Sequence, residues 1–140
     1  STLEPLPQVI VMHLMAGRNR TFKLSDVLNA FSDHGLLYGQ YHIFHAFDTR
    51  GSVRFSAASA VEPGTFDLER PHASLPGLSF FVDFHKARHP KTAFKSMLAT
   101  LYDLSQQLQA DIVDDHHHRL TQHRITSYWA QIKALTSEHA

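Results

Sequence analysis

A chain of 140 residues has the size of one domain and can bury a core without disulfides or a structural metal. Hydrophobic residues make up 43% and charged residues 19%, which excludes a disordered chain. Thirteen basic residues balance thirteen acidic ones, so the electrostatic footprint of a nucleic-acid or anionic-membrane binder is missing.

Cysteine is absent, which removes disulfides and thiolate metal sites. The compositional oddity is twelve histidines, which add positive charge as pH falls toward ~6. No run approaches the ~18–20 apolar residues of a membrane span, and no signal peptide opens the chain. These features lead us to expect a soluble chain or, given the start at Ser1, the soluble piece of a longer protein.

Taken in order, residues 8–15 (QVIVMHLM) predict a strand rich in β-branched and apolar side chains. Leu24, Val27, Leu28 and Phe31 then fall at helical spacing, with Thr21 as the expected cap and Gly35 as the stop. Strands are predicted at about 39–47 and 53–61, joined by a hairpin turn through Asp48–Ser52. Pro63, Gly64, Pro71, Pro76 and Gly77 mark an irregular connection before a strand at 78–84. A long helix over about 90–108 carries Phe94, Met97, Leu98, Leu101, Leu104 and Leu108 on one side, with Pro90 in its first turn. A short strand at 110–113, a sixth at Arg119–Leu120 and a final helix capped by Thr121 complete the chain. The order β-α-β-β-β-α-β(-β)-α predicts an α+β domain, with a mostly antiparallel sheet packed against helices. One domain over 1–140 is expected, structured over about 8–137.

The predicted strands do not alternate cleanly between apolar and polar. Ile10, Met12 and Leu14 share one parity while Val9 and Val11 take the other, and Phe80 and Val82 oppose Phe81. Either both faces are covered, or Val9, Val11, Tyr41, Ile43, Ala58, Ala60 and Phe81 form an exposed apolar floor. With three helices of one apolar stripe each, the second arrangement leaves a shallow groove over Ala58 and Ala60 for a helix or short peptide.

Five segments also carry a family resemblance: VIVMHL (9–14), GQYHIFH (39–45), FSAASAVEPGTFD (55–67), PGLSFFV (76–82) and VDDHHHRLT (113–121). Together they resemble the C-terminal FtsZ-binding domains of the ZipA family of bacterial division proteins. The resemblance implies a six-stranded sheet with three helices on one face and the C-terminal tail of FtsZ bound on the other. It implies peptide contacts at Val9, Val11, Tyr41, Ile43, Ala58, Ala60, Glu62, Ser79 and Phe81. The family further implies a monomeric domain at the cytoplasmic face of the inner membrane, tethered by an N-terminal anchor and linker that this chain does not include.

Other residues invite functional readings and are weighed against structural ones. Asp114-Asp115-His116-His117-His118 has the composition of a zinc site, but consecutive side chains diverge, so a solvated turn is expected. His13 and His45 share the parity of the apolar floor and suit a rim or a satisfied polar pair. Pro63–Phe66 reads as a turn that buries Phe66. No G-x-S-x-G, G-x-G-x-x-G, Walker loop or H-E-x-x-H occurs, so neither an enzyme nor a cofactor is expected. An RNA-binding sheet and a histidine-dependent metal enzyme stand as the alternatives.

Overall fold

The computed structural model describes residues 8–138, so residues 1–7 and 139–140 of the expected domain lie outside the described residues. In chain order it contains β1 (Val9–Met15), β2 (Phe22–Lys23), α1 (Leu24–Asp33), β3 (Leu37–Tyr38), β4 (Phe44–Phe47) and β5 (Val53–Ser59). There follow β6 (Ser74–Leu75), β7 (Gly77–Asp83), α2 (Pro90–Gln107), β8 (Asp111–Val113) and α3 (Gln122–Glu138). Six strands form one sheet in the order β3-β4-β5-β7-β1-β8, and β2 and β6 make a separate two-stranded ribbon. Every pairing is antiparallel. The expected α+β class and six-stranded sheet with three helices are therefore present among the described residues.

The core follows from strand parity. Ile10, Met12 and Leu14 of β1 oppose Val82, Phe80 and Leu78 of β7, and Ala57 of β5 opposes Phe80 from the other side. All of these side chains are at most 1% exposed. They form one cluster with Val27, Ala30 and Phe31 of α1, Phe94, Met97, Leu101 and Leu104 of α2, and Tyr128 and Ile132 of α3. All three helices therefore bury their apolar stripes against the same sheet face. Phe31 meets Phe44, Phe66 and Phe80 edge-on at centroid distances of 5.0, 6.1 and 6.0 Å, the preferred geometry for aromatic quadrupoles.

Several local expectations are corrected. Thr21 does not cap α1, because Phe22–Lys23 is drawn into the β2–β6 ribbon and Lys23 takes the cap position without a side-chain bond. Backbone carbonyls supply the missing acceptors: Leu24 N–H donates to Ala73 and Ser25 N–H to Pro71, both at 2.9 Å. The predicted strand over 39–47 shrinks to β4, since Gln40–His42 form a 3-10 turn with Tyr41 and His42 at φ of 63° and 57°. Arg119–Leu120 is not a strand, although Arg119 bridges Val113 and Leu120 N–H donates to the Ile112 carbonyl at 3.1 Å. Pro90 stands in the first turn of α2 as expected, and the expected cap at Thr121 is present, its Oγ1 accepting from Arg124 N–H at 3.1 Å.

Gly77 fits its place because of what crosses it. A Cβ there would press on the flexible tip of the Met15 side chain and stand 3.1 Å from the Leu14 carbonyl, so glycine fits this end of the β1–β7 ladder with the least adjustment.

Parity of this kind makes a direct test. Phe80→Ala should destabilise the domain by ~3–5 kcal/mol in denaturant melts. The half-buried neighbour Phe81→Ala should cost only ~1–2 kcal/mol. Equal losses would contradict the assignment of faces.

Candidate functional site

On the face turned away from the helices, the ladder lines residues up in rows. His45, Ser56, Phe81 and Val11 stand side by side on β4, β5, β7 and β1. In the next row Ala58, Ser79, His13 and Val113 cross β5, β7, β1 and β8. Burial alternates along the two central strands: even-numbered Ile10 to Leu14 and Leu78 to Val82 are buried. Val11, His13, Ser79 and Phe81 are half-buried, and Val9 is 38% exposed. The large ring of Phe81 thus rises among Ser56, Ala58 and Ser79, which are all small.

Polar groups on this face pair with one another. The Ser56 hydroxyl is 2.7 Å from Nδ1 of His45, whose Nε2 is 2.9 Å from the Gln40 carbonyl. With Nε2–H donating to that carbonyl, Nδ1 of the neutral ring accepts from Ser56, so both nitrogens of this 3%-exposed histidine are satisfied. His13 makes the equivalent pair with Ser79 at 2.8 Å and stacks on His117. His13 and His45 are therefore satisfied polar groups, each bonded to a serine and not to the other.

The remaining predicted positions lie around these rows. Ala60, just past β5, is half-buried and extends the ladder by donating its N–H to the Gly77 carbonyl at 3.0 Å. Glu62 is exposed at the edge. Tyr41 is 67% exposed but does not belong to a strand, so its parity carries no information. Its loop is pinned by Gly39 N–H donating to Ile43 at 3.0 Å and Phe66 N–H donating to His42 at 3.0 Å. Lys86, which follows β7, places its ammonium 4.7 Å from the centroid of the Tyr41 ring, so this cation–π contact spans β5. Ile43 departs from expectation: it closes the tight 39–43 loop and is only 7% exposed. It therefore does not form exposed floor. Phe66 is buried at 3%, as the turn reading of Pro63–Phe66 requires.

The histidine run is a turn built on one buried carboxylate. Asp114 is 5% exposed, and its Oδ1 accepts from the N–H groups of His116 and His118, both at 2.9 Å. The three histidines are exposed, and among the described residues no group of three or more metal-ligating side chains converges. Asp115 turns the other way, accepting from Arg124 at 2.7 Å and from the Tyr128 hydroxyl at 2.9 Å. Burial alone would raise the Asp115 pKa, but the bonds from Arg124 and Tyr128 outweigh it and hold the carboxyl below its usual range. Burial pushes Tyr128 up to about 12, so its hydroxyl keeps its proton as a donor. Sequence reasoning missed the His117 contact with His13, because a turn's side-chain direction leaves no periodic signal.

The family model described as ZipA, C-terminal FtsZ-binding domain matches residues 8–131. The chain belongs to this family. The match takes in all nine predicted face and rim positions and most of α3. Relatives named cell division protein ZipA include that of Stutzerimonas stutzeri (strain A1501), 36% identical over 91% of this chain and 48% of its own length. That of Pseudomonas fluorescens (strain Pf0-1) is 37% identical over 94% of this chain and 49% of its own. That of Azotobacter vinelandii is 34% identical over 93% and 47%. The chain thus spans about half the length of the curated ZipA relatives it matches. No helix among the described residues is long and apolar enough to cross a membrane.

The two His–Ser pairs make different demands. Ser56→Ala leaves a nitrogen of fully buried His45 without a partner and should cost ~1–3 kcal/mol in a denaturant melt. Ser79→Ala, beside half-exposed His13, should cost clearly less, because water replaces the lost hydroxyl. The reverse ranking would refute this account of the polar pairs.

Proposed function

We propose that this domain binds the C-terminal tail of FtsZ on the sheet face turned away from the helices, at Val9, Val11, Tyr41, Ala58, Ala60, Glu62, Ser79 and Phe81. Ile43 belongs to the same proposed set, although it is only 7% exposed. In a longer protein carrying a membrane anchor, this grip would link the FtsZ ring to the inner membrane. Membership of the ZipA family, whose model is described as FtsZ-binding, carries the reading. The row in which Phe81 stands between Ser56 and Val11 supports the choice of this face.

The chemistry of the face suits a short apolar peptide. Its polar groups are already paired, so a partner covering Ser56, Ser79, His13 or His45 strips few free donors and acceptors of water. Phe81 is the large central aromatic, the type that dominates such interfaces, and small neighbours leave room for a partner side chain on either flank. A tail that orders on binding loses conformational entropy, so a few desolvated anchors supply most of the net affinity. Balanced charge disfavours the RNA alternative, whose binding would weaken steeply with salt.

The test is a titration of the domain with the C-terminal FtsZ peptide of the same organism, followed by backbone chemical shifts. Shifts should concentrate on residues 9–11, 41–43, 58–62 and 79–81; shifts confined to the helices would place the site elsewhere. Phe81→Ala should weaken binding by ~2–3 kcal/mol, roughly thirty- to two-hundredfold. His116→Ala with His118→Ala should leave folding unchanged within ~0.5 kcal/mol, and retention of stoichiometric zinc through dialysis would contradict the turn reading.

A further inference from the structure

At the β8 end of the outer face, two imidazole rings lie flat on one another. The centroids of His13 and His117 are 4.4 Å apart and their planes are 8° from parallel. Both rings are held in place. His13 is bonded to Ser79 across the β1–β7 pair at 2.8 Å. His117 has a φ of 62°, a left-handed conformation disfavoured for a residue with a side chain, so the surrounding turn must impose it. That turn is closed by His117 N–H donating to the Asp114 carbonyl at 3.0 Å and Asp114 N–H donating to that of His118 at 2.8 Å. The buried Asp114 carboxylate fixes it from within.

Such a stack accommodates two neutral rings, or one charged and one neutral, but two imidazolium ions at this distance repel. The groups facing the pair are few. Ser79 comes from β7, Val113 and Asp111 from β8, and Asp114 and Asp115 from the turn. Asp115 is engaged by Arg124 and Tyr128, and Asp114 by backbone N–H groups. Asp83 stands opposite Val9, two rows away. Burial holds the His13 pKa below its ordinary value and the neighbouring His117 adds to this, against the smaller opposing pull of Asp115 and Asp114. Phe81 and His13 are diagonal neighbours on β7 and β1, a separation of roughly 7–8 Å, so a peptide seated on Phe81 reaches the stack.

We propose that the His13–His117 stack is a proton-sensitive wall of the peptide face, which favours an apolar peptide while neutral and weakens its hold once charged. The proposal rests on the reading of this face as the FtsZ-tail site. In the neutral state the paired rings present flat, weakly hydrated surface for an apolar side chain. Protonation adds a charge that the arriving peptide would have to desolvate, and a second proton drives the rings apart. Binding therefore releases protons and is strongest on the alkaline side of the histidine range.

The experiment measures the affinity of a histidine-free FtsZ tail peptide at pH 7.5 and 5.5, with the domain unaltered and with His13→Asn combined with His117→Phe. Asn retains a partner for Ser79 and Phe retains a flat ring, but neither takes up a proton. The unaltered domain should lose roughly five- to tenfold in affinity between the two pH values, about the effect of one displaced titration. The double variant should lose less than twofold. An unaltered domain that loses less than twofold, or a double variant that loses as much as the unaltered one, overturns the proposal. Absence of binding at both pH values overturns the FtsZ-tail reading itself, whereas pH-independent binding removes only the wall. Ring-proton NMR of the free domain adds a measurement that no variant can compromise. His13 should titrate below the ordinary histidine range, and an ordinary midpoint for His13 would count against the stack.

Discussion

The antiparallel register between β1 and β7 is the constraint on which the rest of the structure depends. It sets Met12 against Phe80 and Val11 against Phe81, so that one face of the central pair is wholly apolar and the other mixed. A slip of one residue would turn Phe80, Val82 and Leu78 away from the helices and leave the core without its centre. At the end of this pair Gly77 lets the Met15 side chain cross β7 with the least adjustment. Each helix then has one place to put its apolar stripe, and all three choose the same face.

This one-sided packing determines the chemistry of the other face. A sheet surface left without helices has to satisfy its polar side chains by itself or with water. Here His45 is paired with Ser56 and His13 with Ser79, both by short bonds between neighbouring strands. The result is a surface that carries polar atoms yet keeps few unmet hydrogen-bonding groups, and on which Phe81 is the prominent apolar feature. Ligand pockets are concave and enclose most of what they bind, whereas this face is a floor of alternating large and small residues.

The loops refine the face. The 39–43 loop holds Tyr41 outward by consecutive left-handed residues, with Lys86 over its ring, while the same tight closure buries Ile43. At the other end, the Asp114 turn sets His117 on His13. Both features come from hydrogen bonds to loop backbone, and both place side chains from outside the strands at the rim of the face.

The sequence alone was enough to determine the long elements and their two faces. Strand parity separated Phe80 from Phe81 and Met12 from Val11, because a pleated strand sends successive side chains to opposite sides whatever its neighbours are. Helical spacing likewise put Phe31, Leu101 and Leu104 on apolar stripes, since the apolar stripe of a helix is local information. The family resemblance was legible in five separated segments, and the match over residues 8–131 agrees with it. What only the tertiary structure decided were the positions whose conformation depends on distant partners. Tyr41 read as a strand residue until Phe66 N–H, bonded to the His42 carbonyl, and the closed 39–43 loop fixed a left-handed turn in its place. Thr21 lost its cap to the β2–β6 ribbon, which joins residues more than fifty positions apart. His117, in a run that read as a solvated turn, reached His13 more than one hundred positions away because β8 pairs beside β1. Periodicity encodes which way a side chain leaves its own element; which distant group it meets is set by strand order and loop closure, and these emerge only when the whole chain packs.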